Sequence, residues 1–371
     1  MDEQRLKENF ARVAAHGDRV ALFFYSHLFL AHPELRDMFP VSMSAQRDRL
    51  LNALGRIVSE VSSANSLVPY LQDLGRDHRK FDVVAGHYPA VGASLLATLE
   101  HFSGDAWTGE LAADWKAAYG LVSTVMTKAA NEDGASRPPW WDAAVIDHER
   151  REVDIAVIRV QLGQPLPYVP GQSVAVECEQ RPRLWRLYSM ANAPRDDATV
   201  DFHVRVIDGG QVSGVLGRSM RAGSLLRLGA PLGVLTFDTT SGRDVLMAAG
   251  GTGLAPLKAI IEQLSGLPRP PRVHLVFGVR TPRELYDLPD LEKLAASSPW
   301  LTVSATVSAD RDYPGEQGTI ADVIERHGTW RGRDAYVCGS SAMVAGTVRH
   351  LTSLGTPREQ IHVEDFGWSE S

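Results

Sequence analysis

The sequence predicts three different folds in succession: an all-α segment, then a small antiparallel β-barrel, then an α/β segment built on a parallel sheet. Three observations predict this. At 371 residues the chain exceeds one ordinary domain and fits two to three. The spacing of apolar residues changes twice along the chain, first near 141 and again near 243. A Gly/Ser/Pro-rich stretch, "EDGASRPPWW" (132–141), lies at the first change, where a domain boundary is expected.

The helical segment is assigned to residues 1–134. Leu6, Phe10, Val13, Gly17, Val20 and Phe24 recur at threes and fours, the spacing of one buried helix face. Pro33, Pro40, Pro69 and Pro89 punctuate the helices, and β-like alternation is missing. Residues 135–141 form the linker. In the barrel, residues 142–240, the period falls to two: Val153, Ile155 and Val157 alternate with polar or small residues, as do Val174 and Val176. "TVDFHVRVI" places Val200, Phe202, Val204 and Val206 on one face, with "PGQ" and "DGG" as turns. From 241 to 371, apolar strands ("DVLMAA", "VHLVFG", "LTVSATV", "DAYVCG") alternate with helical stretches ("PLKAIIEQL", "ELYDLPDLEKLAA", "TIADVIERH", "AMVAGTVRHLTSLG"). Such alternation builds a parallel sheet.

Composition narrows the function classes. Hydrophobic content of 44% with 22% charged residues is that of a globular protein. A net charge of −7 argues against non-specific nucleic-acid binding, which needs a basic surface. The start, "MDEQRLKENF", lacks the apolar core of a signal peptide, and no stretch has the length and apolar purity of a membrane span. Cys178 and Cys338 are too few and too distant for a disulfide framework or thiolate metal site. A monomer in a reducing cytoplasm is expected.

The chemistry-bearing motifs begin in the C-terminal half. "AAGGTGLAPLKAI" (248–260) is a glycine-rich turn between a strand and a helix. Gly250, Gly251 and Gly253, with Thr252 and Pro256, allow a tight turn whose free N–H groups suit a phosphate. Many strand–helix turns use glycine for structure alone, and this one is not a strict G-x-G-x-x-G. Upstream lie "RLYS" (186–189) and "DGGQVSGVL" (208–216), which by themselves read as surface turns with an arginine. In this order the motifs resemble those of the ferredoxin–NADP reductase superfamily. The resemblance implies that Tyr188 packs on a flavin, that Ser189 lies near its N5, and that Arg186 meets the pyrophosphate of FAD. It implies that Gly209, Gly210 and Ser213 cap a helix facing the same phosphates. "YVCGSSAMV" (336–344) and "VEDFGW" (363–368) match the nicotinamide-side motifs, placing Cys338 and Gly339 beside the hydride path and Phe366 over the flavin, with Glu364 a further cofactor-binding residue.

"LGRDHRKF" (74–81) then poses a question about His78, one of twelve histidines: ordinary helix residue or heme ligand. A reductase must pass its electrons on. No C-x-x-C spacing offers an iron–sulfur cluster, but a heme suits a helical domain of this length. "FFYSHLF" (23–29), "HPELRDMF" (32–39), "AQRDRLLNAL" (45–54), "GRDHRKFDVVAGHY" (75–88) and "DWKAAYGLV" (114–122) resemble a bacterial globin, and the whole chain resembles a flavohemoglobin. The resemblance implies heme b ligated by His78, Tyr25 and Gln46 on the distal side with Leu50, Phe39 packed on the porphyrin, and Tyr88 beside the proximal histidine.

The activity so implied is nitric oxide dioxygenation. NADH or NADPH reduces FAD, FAD reduces the heme, and the heme with oxygen converts nitric oxide to nitrate. The alternatives are a heme-based redox or gas sensor and a flavin reductase or organic-acid dehydrogenase with a secondary globin role. Arg280 and Arg283 could meet a 2′-phosphate or simply be solvated, so the choice of nucleotide stays open. Three positions depart from the family pattern: Ala130 where a proximal glutamate is expected, with Glu132 two residues away; Asp77 in place of a basic residue; and Ser173 in place of an aromatic one after "PGQ".

Overall fold

The structure, a computed structural model, describes residues 1–328 and 330–365. It divides into two compact units, one spanning Met1–Trp140 and the other starting at Trp141.

The first unit contains six helices: α1 (Glu3–Ala14), α2 (Asp18–Ala31), α3 (Ser44–Ser59), α4 (Ala64–His78), α5 (Tyr88–Ser103) and α6 (Gly109–Gly134). The Asp2 side chain accepts from Arg5 N at the start of α1, and Thr108 accepts from Leu111 N at the start of α6, so both ends are capped. Leu6, Val13, Val20, Phe24, Leu28, Leu95, Leu99, Leu111 and Trp115 form the main core. Inside it, buried Asn9 donates to Ser103 Oγ at 2.8 Å and accepts from Trp115 Nε1 at 2.9 Å, tying α1 to α5 and α6. The expected single face running from Leu6 to Phe24 is shared between two helices that break at residues 15–17. Pro69 does not end a helix: it lies in the second turn of α4, where it removes one backbone hydrogen bond.

The second unit starts with β1 (Trp141–Arg150), β2 (Ile155–Leu162), β3 (Ser173–Cys178), β4 (Arg186–Ser189), β5 (Thr199–Arg205) and β6 (Leu225–Leu228). These form an antiparallel sheet in the order β4-β3-β6-β1-β2-β5. A bridge between Met190 and Phe202 joins its two edges into a nearly closed barrel. Val174, Val176, Val200, Phe202 and Val204 all point into its core. Two residues differ from expectation. Val153 lies in the β1–β2 turn and is 62% exposed, so the alternation starts only at Ile155. Trp141, assigned to the linker, opens β1 and is buried in the barrel core. A helix, α7 (Gln211–Arg218), follows β5.

The remaining strands are β7 (Val245–Gly250), β8 (Val273–Val279), β9 (Leu301–Val307), β10 (Glu316–Gln317), β11 (Asp334–Gly339) and β12 (Ile361–Asp365). They form a parallel sheet in the order β10-β9-β8-β7-β11-β12. It is covered by α8 (Leu254–Ser265), α9 (Leu288–Ser297), α10 (Ile320–Arg326) and α11 (Ser341–Ser353). Central β7 shows why its sequence is apolar throughout. Val245, Met247 and Ala249 enter one core while Leu246 and Ala248 enter the other.

Barrel and parallel sheet pack into one compact unit. Ion pairs fasten them: Arg195 to Glu262 at 3.0 Å, Arg151 to Asp290 at 2.9 Å, and Arg205 to Glu284. No described helix is long and apolar enough to cross a membrane.

Candidate functional site

In the helical unit the candidate ligand is placed by a close helix crossing. A Cβ at Gly75 would lie 2.3 Å from the main-chain oxygen of Met126, so only glycine lets α4 settle directly on α6. One turn later, at the end of α4, His78 Nδ1 makes a 2.7 Å hydrogen bond to the carbonyl oxygen of Leu74. A carbonyl only accepts, so Nδ1 carries the proton and the Nε2 lone pair is left for a metal. Burial depresses the pKa of this imidazole and favours the neutral form that ligation needs.

The other candidate residues lie on α2, α3 and the turn between them. Tyr25 is 5% exposed, and its hydroxyl donates a long 3.3 Å bond to the main-chain oxygen of Gln46. Burial pushes its pKa up to about 12, so the phenol keeps its proton. Phe39 packs edge-on against Tyr25 and Phe29, with centroids 5.5 and 5.2 Å apart. Leu50 and Phe39 are partly buried apolar residues at the margin of the core.

Helices α3 and α4 meet near their connection, where Arg56 lies 3.9 Å over the Tyr70 ring. Beyond it, α3 packs mainly on α1 and α2 while α4 packs on α6. A nitrogen donor with its proton fixed away from the metal, partly buried apolar side chains, and a protonated phenol fit a heme.

The proximal side differs from the implied pattern. The His78 ring bonds to Leu74 O rather than to Tyr88, whose main-chain oxygen accepts from the Tyr119 hydroxyl at 2.6 Å. Glu132 pairs with Lys128 at 3.8 Å on the surface, and half-buried Ala130 offers no acceptor. The acceptor that sequence reasoning missed is Leu74 O. Its signal was the four-residue spacing, one helix turn, that brings the His78 ring beside the Leu74 carbonyl.

In the second unit, β3 and β4 present the flavin candidates. Tyr188 packs toward the barrel core, and burial raises its pKa. Ser189, next along the strand, points the other way and is 5% exposed, yet its Oγ has no hydrogen-bond partner. An orphaned buried hydroxyl at this position fits a flavin heteroatom. Arg186 donates to the main-chain oxygen of Trp185, 2.9 Å away. Ser213 is buried at the start of α7, its Oγ accepting from Ile207 N, and Gly210 fits against it because a Cβ would meet that oxygen at 2.3 Å. Gly209 has φ +75° in the preceding turn.

The glycine turn closes on the neighbouring strand. A Cβ at Gly253 would lie 2.3 Å from Cys338 O, so the turn lies flush against the end of β11. Buried Pro256 then occupies the first turn of α8, whose N–H groups open toward this loop. Gly250 and Gly339 face each other across Met343. Thr252 is half-buried between the glycines. These residues fit a dinucleotide phosphate at a helix start. Cys338 is fully buried, and burial drives its thiol pKa up. Glu364, its register partner on β12, has one carboxyl oxygen, Oε2, buried without a partner. Arg280 and Arg283 are both exposed, and Phe366 lies outside the described residues.

Three family models match successive parts of the chain. The Globin family model matches residues 22–126, the Oxidoreductase FAD-binding domain 142–237, and the Oxidoreductase NAD-binding domain 247–349. Over 220 residues the chain is 36% identical to the ferredoxin–NAD(P)(+) reductase component of a naphthalene 1,2-dioxygenase system from Pseudomonas putida. That match covers 57% of this chain and 65% of the relative's length. A flavohemoprotein of Bordetella parapertussis is 27% identical, with 95% of this chain and 94% of that one covered. The crystal structure of a flavohemoglobin from Malassezia yamatoensis, with bound FAD and heme, superposes with a TM-score of 0.78 at 17% identity over 98% of both chains. The chain thus joins a globin domain to FAD- and NAD-binding oxidoreductase domains, the arrangement of the flavohemoproteins that match it over nearly its whole length, and is an NAD(P)H-dependent oxidoreductase.

Proposed function

We propose that the chain is a nitric oxide dioxygenase, consuming NAD(P)H, oxygen and nitric oxide and releasing nitrate. The observation that carries this reading is the Tyr25 hydroxyl: buried, protonated, and held only by a 3.3 Å bond to a main-chain oxygen. Such a donor can turn from a weak partner to a stronger one, and a phenol in a dry pocket favours negative charge building on an adjacent oxygen. Gln46, whose main chain already meets Tyr25, is the second distal candidate. Heme and FAD, when bound, supply the oxygen chemistry and the conversion of a hydride into single electrons.

The protein's residues divide the remaining work. His78 offers Nε2 as the iron ligand. Phe39 and Leu50 exclude water from the pocket. Tyr188 and Ser189 orient the flavin, Arg186 and the Gly209–Ser213 turn take its phosphates, and the 250–256 loop takes those of the nicotinamide nucleotide.

Two features favour a second reading, a flavin reductase whose globin role is secondary: Ala130 lacks the carboxylate, and the reductase half is 36% identical to a dioxygenase reductase component. One experiment separates the two. The protein is reduced with NADH without oxygen, then mixed with oxygen and nitric oxide while nitrate is measured. Stoichiometric nitrate that disappears in His78→Ala supports the dioxygenase, whereas NADH oxidation without nitrate supports the reductase.

A further inference from the structure

Barrel and parallel sheet also meet through a buried polar pair outside the cofactor motifs. His203 on β5 is 5% exposed and Tyr286, in the turn before α9, is 6% exposed; His203 Nδ1 and the Tyr286 hydroxyl form a 2.7 Å hydrogen bond. Their rings pack edge-on, with centroids 5.3 Å apart. Burial, joined by the Lys258 ammonium, holds the imidazole well below its ordinary pKa, and burial raises that of the phenol, so both groups are neutral. The pair lies between the two candidate cofactor regions. On the barrel side, Phe202, one residue before His203, bridges to Met190, which follows the flavin candidate Ser189. On the other side, the Tyr286 ring packs edge-on against Phe277 at 6.0 Å, and Phe277 pairs in register with Ala249, next to Gly250 of the nucleotide turn. Two residues further along β5, Arg205 Nη1 lies 3.2 Å from where a Cβ on Gly251 would stand.

We propose that His203 and Tyr286 are positioning residues for hydride transfer: their hydrogen bond sets the nucleotide turn against the flavin-bearing strand. In that step a C–H bond of the reduced nicotinamide breaks, and its hydrogen, with both bonding electrons, forms an N–H bond on the flavin, leaving NAD(P)+. The inference rests on NAD(P)H-dependent flavin reduction and not on nitric oxide chemistry. The ion pairs of the seam set this alignment less sharply. The side chains of Arg195 and Glu262 are 28% and 36% exposed and that of Arg205 is 34% exposed, and Coulomb attraction falls only slowly with distance. A hydrogen bond weakens steeply once its angle is lost, and breaking this one leaves two buried polar groups unpaired. Sliding one sheet on the other is therefore opposed at the pair before it is opposed at the rim. Misplacing reacting atoms by about 1 Å costs on the order of a hundredfold in rate, so a contact this far from the chemistry still governs it.

The test uses the full chain loaded with FAD and the variants Tyr286→Phe, His203→Leu, His203→Asn and the double variant His203→Leu/Tyr286→Phe. Three quantities are read. They are the limiting rate of flavin reduction in anaerobic stopped flow, by whichever of NADH and NADPH reduces the wild type faster; the affinity for the matching oxidised nucleotide by calorimetry; and the urea midpoint of flavin release. In Tyr286→Phe and His203→Leu the limiting rate should fall roughly ten- to a hundredfold. Nucleotide affinity should stay within about twofold, because the glycine turn and its helix start are intact. The urea midpoint should fall, since one buried polar group is left unpaired. His203→Asn, whose amide reaches the place of Nδ1 and offers either a donor or an acceptor, should restore the rate. The double variant separates positioning from plain packing and decides even if a single variant loses FAD. Two apolar side chains leave nothing unpaired, so its urea midpoint should return toward wild type while its rate stays low. A rate that recovers together with the midpoint overturns the proposal. So does a wild-type rate in Tyr286→Phe, or a loss of rate matched by an equal loss of nucleotide affinity.

Discussion

His78 takes its character from one main-chain oxygen. Because Leu74 O accepts from Nδ1 at 2.7 Å, the ring is oriented and its tautomer set by its own helix, with no carboxylate involved. Ala130→Glu would therefore introduce an acid where the acceptor role is already filled, and the iron–histidine stretch in the resonance Raman spectrum of the reduced, heme-loaded protein should stay unchanged. A rise in that frequency would show that the introduced carboxylate displaces Leu74 O. On the distal side, Tyr25→Phe removes one hydroxyl donor worth about 1–3 kcal/mol toward a charged oxygen species. Oxygen should then leave roughly ten- to a hundredfold faster in stopped-flow measurements. An unchanged rate would assign the contact to Gln46 instead.

Among the elements, the α4–α6 crossing governs where His78 stands. Gly75→Leu forces a side chain into Met126 O, which a Cβ already approaches to 2.3 Å, so the helices must part. Overpacking of this kind costs about 1–3 kcal/mol. The variant should unfold at lower denaturant and lose heme faster to a scavenging apoglobin; wild-type heme retention would mean that α4 shifts as a rigid rod without moving His78. This crossing also marks the limit of what sequence shows. Barrel strands and sheet strands were legible because burial imposes the period: β5 has one face in the core, β7 has both. The break between α1 and α2 was hidden because Val20 and Phe24 continue the spacing of Leu6 and Val13 into one shared core. Pro69 read as a stop because sequence cannot tell a second turn from a boundary. Candidate residues such as His78 and Ser189 were recognisable from motif order. The partner of His78, Leu74 O, is a main-chain atom that no side-chain pattern records, and Ser189 Oγ has no partner within the protein.

At the scale of the whole molecule, the two units should report their stability separately, heme absorbance for one and flavin fluorescence for the other. Asp287 tests this. It is fully buried at the start of α9, 2.6 Å from Lys258 Nζ on α8 and 3.6 Å from Arg151, which reaches it from the β1–β2 turn of the barrel. Burial raises its pKa while Lys258 and Arg151 oppose the rise. Asp287→Ala leaves the Lys258 ammonium, whose side chain is 26% exposed, without its buried partner, a loss that costs about 1–3 kcal/mol. Arg151 suffers less, because Glu149 and Asp290 remain at 2.7 and 2.9 Å. Replacing both members, Lys258→Met with Asp287→Leu, removes the stranded charge and should recover most of that loss. In urea titrations the Asp287→Ala protein should release flavin at a clearly lower midpoint while the heme signal keeps its wild-type midpoint. If both signals fall together, globin and reductase unfold as one cooperative body, and the buried pair stabilises the entire chain rather than the reductase unit alone.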